Sequence, residues 1–246
     1  LVRVFAGEKE DATANRIGIL GMTPQDISDL RAADRIRERF AAEGKTAVCY
    51  GMGDGLEDVK RVSSVEKNIV VAPAALEAAK YLERTYGTPY ETGYPLVDEL
   101  VCDMDYHGKK VLIVQQQVIG CAIREEILKK APDAQVTVAS WFMMKPELRR
   151  DEDLNLRDEE DYIGLVENGA YDVIYADSCM KRMTPKFEGV FVDTIHFAVS
   201  GKLVTVEAAK ELKEPKKPRG SKEPGKTDSH DYYDYDRMSP MGEVYE

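Results

Sequence analysis

The stretch "NIVVAPAALEAAKYLERTYGTPY", residues 68–90, decides the fold because it contains a strand and a helix in direct succession. The apolar run 68–72 predicts a buried strand. Pro73 follows the strand, and proline is favoured at the first position of a helix. A short apolar strand followed by an amphipathic helix is the repeating unit of a parallel α/β sheet.

The same alternation extends toward the amino terminus. Residues 16–22, "RIGILGM", predict another buried strand. Thr23 and Pro24 then have the residue types of a helix N-cap and first helical position, and Gly44 marks the predicted end of that helix. A third strand is predicted at residues 46–51. These elements together form one open parallel-sheet unit.

The pattern restarts after a connector at residues 96–108. Four further apolar runs predict strands at residues 109–115, 135–141, 171–176 and 189–195. We therefore predict an α/β fold with two consecutive Rossmann-like open parallel-sheet domains, residues 15–95 and 109–210. Residues 1–14 are expected to be a linker from an upstream segment of a longer protein, and residues 211–246 a charged, disordered tail.

Composition excludes several classes of function. The 246 residues carry a formal net charge of −11 with a pI near 5.0, which opposes non-specific binding to nucleic acid or to an anionic membrane. No apolar run has the length of a membrane span. The four cysteines show no CxxC spacing, so neither a zinc site nor a disulfide framework is predicted. Reduced thiols and a cytoplasmic location are the expectation.

Four candidate site residues follow predicted strands at their carboxyl ends, where open α/β sheets collect ligand-binding groups. Gln116 and Gln117 lie in the loop "QQQVIG", Cys179 lies in "ADSCMKR", and His196 lies in "IHFAVSG". A histidine at this place suits a metal ligand or an acid/base group, and equally a buried histidine with satisfied nitrogens. An ordinary βα turn is an equal alternative for the two glutamines. Only the structure can tell whether Cys179 meets His196.

Other features have simpler explanations. The loop "GMGDG" at residues 51–55 lacks the spacing of a phosphate-binding loop, which favours a plain turn. Cys121, in the first turn of a predicted helix, is a reactive thiol or, more simply, a small core residue. The acidic run 149–161 predicts a solvated loop and a helix N-terminus. Trp141 is expected to pack.

Several of these motifs in order resemble nitrogenase component 1 and its relatives, which include cofactor-assembly scaffolds and dark-operative protochlorophyllide reductases. They are "NIVVAPAALEAAKYLERTYGTPY", "GYP", "GKKVLIV", "YDVIYADSCMKR" and "IHFAVSG". The likeness runs from about Arg16 to Val204 and is most specific in the block that ends in "YGTPY". It implies the second and third of the family's three Rossmann-like domains, without the first domain, whose cysteines hold an iron-sulfur cluster.

The resemblance also implies positions for site residues. The family's cofactor cysteine corresponds to Val71, so that ligand is absent. Gln116 and Gln117 stand for the glycines of the family's glycine-glycine-x-arginine loop, and the arginine is missing. His196 stands near the place of the family's cofactor histidine, with a spacing to Ser200-Gly201 one residue shorter. Only the histidine is retained, which argues against a molybdenum-iron cofactor.

We therefore expect part of a nitrogenase-like oxidoreductase with a substrate or metallocofactor cavity between its two domains. His196 is the candidate catalytic residue, and Gln116, Gln117 and Cys179 are candidates for cofactor binding. The cofactor is left open, because an iron-sulfur cluster or metallocofactor would need the full-length complex. The expected partners are a homologous subunit and an ATP-dependent iron-sulfur reductase. The alternative is a non-catalytic cofactor-binding or cofactor-assembly scaffold.

Overall fold

The computed structural model describes residues 2–8 and 10–204, which form two separate sheets. The first sheet has the order β2-β1-β3-β4 and the second the order β7-β6-β5-β8-β9, and all strand pairs are parallel. The strands are β1 (Thr13–Leu20), β2 (Thr46–Tyr50), β3 (Val65–Val70), β4 (Tyr90–Thr92), β5 (Lys110–Val114), β6 (Gln135–Ser140), β7 (Leu154–Asn155), β8 (Val173–Ala176) and β9 (Val190–Asp193). The predicted fold class, two consecutive parallel-sheet α/β domains, is confirmed.

Helices connect most successive strands of each sheet. They are α1 (Val2–Phe5), α2 (Ala32–Ala42), α3 (Leu56–Lys60), α4 (Leu76–Tyr86), α5 (Gln117–Lys130), α6 (Glu159–Gly169) and α7 (Phe197–Ser200). Helix α1 falls within the predicted linker, and Val2 of the helix and Ala6 just after it pack against the first domain. The predicted tail, 211–246, lies outside the described residues. Within residues 2–8 and 10–204, no helix is long and apolar enough to cross a membrane.

One apolar core is common to both sheets. It includes Ile19 of β1, Tyr94 and Leu96 of the connecting segment, and Ile113 of β5. Each of these side chains is at least nine-tenths buried, and burial of a side chain of this size contributes about 2 kcal/mol. Because the connecting segment belongs to this core, the two domains pack against each other through shared apolar contacts.

Helix α2 begins later than the sequence predicts. Thr23 is not its N-cap, and the Thr23 hydroxyl instead donates to Asp26 within a turn. The reason lies at Ser28, whose hydroxyl accepts from the Phe197 amide at 2.8 Å and whose carbonyl accepts from the Val204 amide at 3.0 Å. These two bonds tie the segment around Ser28 to the second domain, and helix α2 begins only at Ala32.

Two short strands are also absent from the sequence prediction. Strand β4 has three residues and β7 has two, and each lies at an edge of its sheet. Runs this short carry no readable alternation of apolar and polar residues. They are defined by pairing with β3 and β6 rather than by their own sequence.

The turn after β2 gives a direct test of this backbone. Gly51 has φ +115°, and a β-carbon there would lie 2.1 Å from the Met22 carbonyl oxygen. Gly44 also has a positive φ, +74°, but no atom lies within 4 Å of its β-carbon position. We expect Gly44→Ala to lower the free energy of unfolding by about 1–2 kcal/mol, the cost of the left-handed conformation alone. Gly51→Ala should cost at least about 2 kcal/mol more, because the Met22 carbonyl must move.

Chemical denaturation of the two variants beside the parent chain makes this comparison. Equal losses of stability for Gly51→Ala and Gly44→Ala would contradict the close approach of the 51–55 turn to Met22.

Candidate functional site

The carboxyl ends of the two sheets contact each other directly. Val71 follows β3 in the first domain, and its carbonyl accepts a 2.7 Å hydrogen bond from the side-chain Nε2 of Gln116, which follows β5 in the second. The Ser28 and Phe197 contact joins the loop after β1 to the loop after β9. Both contacts lie beyond strand carboxyl ends, which is where open α/β sheets bind ligands. This junction is the candidate functional site.

Gln116 uses both ends of its amide. Its Oε1 accepts from the amides of Val118, at 2.8 Å, and Ile119, at 3.4 Å, and so caps the amino terminus of α5. Its Nε2 donates to Val71. The partners fix the orientation of the amide, because two N–H groups face one atom and a carbonyl faces the other. The side chain is 1% exposed.

The side chains of Gln115 and Gln117 also make hydrogen bonds to backbone groups. Gln115 accepts from the Gln116 amide at 2.9 Å and donates to the Thr194 carbonyl at 3.5 Å. Gln117 accepts from the Lys145 amide at 2.6 Å and donates to the Lys145 carbonyl at 3.0 Å. A buried glutamine whose amide is satisfied in this way costs less free energy than an unpaired one. Direct ligand contact by the side chains of Gln116 or Gln117 would require these bonds to be exchanged.

Asp177 organises the other half of the junction. It is fully buried directly after β8, where its Oδ1 accepts from the Cys179 amide at 3.0 Å and its Oδ2 from the His196 amide at 2.9 Å. The Ser200 hydroxyl donates to the same Oδ2 at 2.5 Å. One carboxylate thus joins the loop after β8 to the loop after β9. Its place immediately after the run 171–176 is the sequence signal that could have singled it out.

The charge of Asp177 is stabilised by these donors. Burial acts to raise the pKa of Asp177, but the hydrogen bonds from Cys179, His196 and Ser200 outweigh burial, and the pKa falls below its usual range. Asp193, at the end of β9, differs: burial raises its pKa, and the nearby Asp177 charge raises it further. The pKa values of these two carboxylates, which lie at the ends of adjacent strands, are therefore shifted in opposite directions.

His196 is 3% exposed, and its ring packs edge-on against Phe142 with 5.0 Å between ring centroids. Burial lowers the pKa of His196 to about 4, while the Asp177 charge opposes that shift. The imidazole is therefore neutral at pH 7. Asp177 bonds the backbone amide of His196, and within the described residues neither ring nitrogen makes a hydrogen bond. This geometry differs from a Ser-His-Asp triad, in which the ring itself is bonded.

Cys179 and His196 share a hydrogen-bond acceptor, the carboxylate of Asp177. The Cys179 amide donates to Oδ1 and the His196 amide donates to Oδ2. Burial raises the pKa of the Cys179 thiol to about 11, and the Asp177 carboxylate adds to the shift. The thiol is therefore protonated at pH 7, and the thiolate is the form that attacks or binds metal.

The four predicted site residues thus lie at one junction without forming a single cluster. Cys179 and His196 meet at Asp177, whereas Gln116 faces Val71 and Gln117 faces Lys145. In the part of the chain that the structure describes, no hydrogen bond joins either glutamine side chain to Cys179 or His196. Gln115, next to these glutamines, makes a weak bond to the Thr194 carbonyl, two residues before His196.

A cavity of about 290 Å³ opens between the domains. Thr92 and Gly93, after β4, line one side, the residues of α5 between Val118 and Glu125 line another, and the segment 147–150 completes it. His196 does not line this cavity. Cys121 does, and burial raises the pKa of its thiol to about 11, so it is protonated at pH 7.

The acidic run 149–161 is not all solvated, contrary to the sequence prediction. Asp153 is fully buried and pairs with Arg124, whose side chain is 2% exposed, at 2.5 Å. Asp153 also accepts from the Val138 amide at 3.1 Å, which anchors the loop to β6. A buried guanidinium requires such a partner because an unpaired charge there is very costly. Asp158 does cap α6, as the helix N-terminus in that prediction required.

The described residues do not fit a metallocofactor of the type that the fold family implies. No group of three or more His, Cys, Asp or Glu side chains among them is arranged to hold a metal ion. Val71 offers an apolar side chain where the resemblance places a cysteine ligand, and its carbonyl is bonded directly to Gln116.

No protein-family model and no curated protein matches this sequence. Among solved structures, the chain is similar to "Nitrogenase Cp1 at pH 6.5", with 15% identity and a TM-score of 0.53 over 78% of this chain and 55% of that chain. This chain thus spans about half the length of that nitrogenase chain. An ornithine carbamoyltransferase from Burkholderia thailandensis E264 has 13% identity and a TM-score of 0.40, over 85% of this chain and 83% of that chain. At this TM-score we draw no conclusion from the similarity. The likeness to the nitrogenase concerns the fold alone.

Because His196 is buried and neutral, we expect the free energy of unfolding to decrease at acid pH. Unfolded histidine binds a proton below pH 6.5, whereas folded His196 does so only near pH 4, so stability should fall as the pH drops through this window. The full effect is about 3 kcal/mol. We expect His196→Gln to flatten the dependence of the unfolding free energy on pH between 6.5 and 4.5. The control is His107→Gln, which removes an exposed imidazole paired with Asp133 and should leave the loss of stability caused by His196 in place.

Urea denaturation at half-unit steps of pH gives the required curves. The same slope in His196→Gln and in the parent would show that the imidazole is not held in a desolvated, neutral state.

Proposed function

We propose that this chain is part of a nitrogenase-like oxidoreductase. The observation that carries the proposal is the likeness of its two-sheet architecture to a nitrogenase over 78% of the chain at a TM-score of 0.53. The meeting of strand carboxyl ends at the Gln116 and Val71 contact supports it, because this edge of an α/β sheet is where reactants are bound.

The proposed role is to bind and position a substrate rather than to hold a metal cluster. The apolar Val71 and its contact with Gln116 favour this choice, because neither provides a cluster ligand. His196 is the proposed catalytic residue. Since burial keeps its ring neutral, it would act on a substrate by hydrogen bonding at a ring nitrogen rather than as a cationic acid. Cys179 and Asp177 would hold the loops that carry it.

Electrons would have to come from other components. The four cysteines are not brought together: two of them are buried, and they lie on different elements or connecting segments of the fold. An iron-sulfur cluster needs about four thiolates brought together. We therefore include in the proposal a homologous subunit and an ATP-dependent iron-sulfur reductase, with any cluster bound outside residues 2–8 and 10–204.

Anaerobic isolation of the tagged full-length protein from the cells that make it tests this proposal. We expect it to co-purify with a homologous subunit and to accept electrons from a reduced iron-sulfur reductase only when MgATP is present. Visible spectra of the reductase before and after mixing measure the transfer. Recovery of the chain without redox-active partners, or electron transfer that ignores MgATP, would contradict the proposal.

The same complex tests the role of His196. We expect His196→Gln to lower substrate turnover about a hundredfold or more, the usual contribution of a positioned hydrogen-bonding or proton-transfer group. Assembly of the complex should be retained, because Asp177 binds the backbone amide and not the ring. Exposed His107 again gives the control variant, His107→Gln, for which turnover should be unchanged. Full turnover by His196→Gln would remove the histidine from the mechanism.

A further inference from the structure

The cavity between the domains contains a cation that no carboxylate neutralises in the described part of the chain. Among its charged lining residues, Arg150 pairs with Glu125 at 2.6 Å, and Glu147 pairs with Lys80, which lies outside the cavity. Arg149 donates through Nε to the Asp153 carbonyl at 3.0 Å, and its two terminal nitrogens have no partner among the described residues. The Arg149 guanidinium is thus held at Nε, and its terminal nitrogens are available to a ligand or to water.

A second, independent observation points to a ligand at the same place. Arg124 lines the cavity with only 2% of its side chain exposed. Its Nε is a buried donor without a hydrogen-bond partner, and the Glu125 carboxylate lies 3.8 Å from it, beyond hydrogen-bond distance. Its Nη1 is bonded to Asp153 and its Nη2 to the Cys121 sulfur at 3.4 Å. Buried donors are nearly always satisfied in folded proteins, by protein, water or ligand. An anion in the cavity would give an acceptor both to the buried Arg124 Nε and to the terminal nitrogens of Arg149, which is exposed.

We propose that this cavity binds a small organic oxyanion, a carboxylate or a phosphate with a short apolar body. The arginine donors suit an oxyanion, which a planar guanidinium binds with two parallel hydrogen bonds. Val118, Ala122 and Leu148 supply an apolar wall, and a volume of about 290 Å³ limits the ligand to a small molecule. The whole chain carries a net charge of −11, which would repel an anion. The attraction must therefore come from the arginines that line the cavity.

This site goes beyond the proposed redox function and does not depend on it. His196 does not line the cavity, and binding requires neither a reductase nor a second subunit. Failure of MgATP-dependent electron transfer would therefore leave the oxyanion site intact. Failure of oxyanion binding would leave the proposed oxidoreductase untouched.

Titration of the full 246-residue chain, labelled with nitrogen-15, with butyrate, inorganic phosphate and butylamine tests the inference. The arginine Nε–H signals report the site directly. We expect butyrate or phosphate to shift the signals of Arg124 and Arg149 with saturation, and butylamine to shift neither. Stronger saturation by butyrate would identify the carboxylate as the preferred group, and stronger saturation by phosphate the phosphoryl group.

Variants separate this site from general charge effects. Arg149→Met should weaken binding of the preferred anion at least about tenfold, the usual effect of losing a charge-assisted hydrogen bond. Arg149→Lys, which keeps the charge and loses the fork, should fall between Arg149→Met and the parent. The control is Arg84→Met on the exposed side of α4, which should bind as the parent does.

The Arg124 signal in the parent chain keeps the test decisive if Arg149→Met unfolds. Absence of any saturable shift of Arg124 and Arg149 with both anions would overturn the inference. So would a folded Arg149→Met variant that binds as tightly as the parent.

Discussion

The hydrogen bond from the Gln116 side chain to the Val71 carbonyl is the interaction on which the rest of this structure depends. It joins the end of β3 in one domain to the end of β5 in the other, and the same side chain caps α5. The amide is buried, so both of its ends must be satisfied inside the protein. A single residue therefore fixes the start of a helix and the contact between two sheets.

This contact shapes what the junction can bind. Because the Val71 carbonyl is occupied by Gln116, the space between β3 and β5 is closed at that point. We place ligand binding beside it, in the cavity lined by α5, where the Arg124 Nε and the terminal nitrogens of Arg149 have no hydrogen-bond partner among the described residues. On the other side, Asp177 holds the loops after β8 and β9 and keeps His196 in a dry, neutral state. A fold similar to that of a nitrogenase chain is thus combined with side chains that, in our proposal, bind an organic ligand rather than a metal cluster.

The sequence was sufficient for the fold class, but not for the contacts between the two domains. Long apolar runs such as 109–115 give strands because a buried parallel strand must be apolar on both faces. The edge strands β4 and β7 and the late start of α2 escaped prediction because they are set by contacts distant in sequence, such as that of Ser28 with Phe197. The burial of Asp153 could not be predicted from the acidic run that contains it, because its partner Arg124 is distant in sequence. The roles proposed for Gln116, Gln117, Cys179 and His196 remain predictions that solution experiments must test.

Replacement of Gln116 by glutamate tests the central claim most directly. Gln116→Glu keeps the shape and the oxygen that caps α5, but it exchanges the donor that faces Val71 for a second oxygen. At pH 8 we expect a loss of about 2 kcal/mol in unfolding free energy relative to the parent, because the introduced carboxylate repels the carbonyl. Near pH 5 the loss should shrink, since a protonated carboxyl can donate to Val71 again. The exposed Gln25 provides the control Gln25→Glu. Equal stability of Gln116→Glu and the parent at pH 8 would contradict the account.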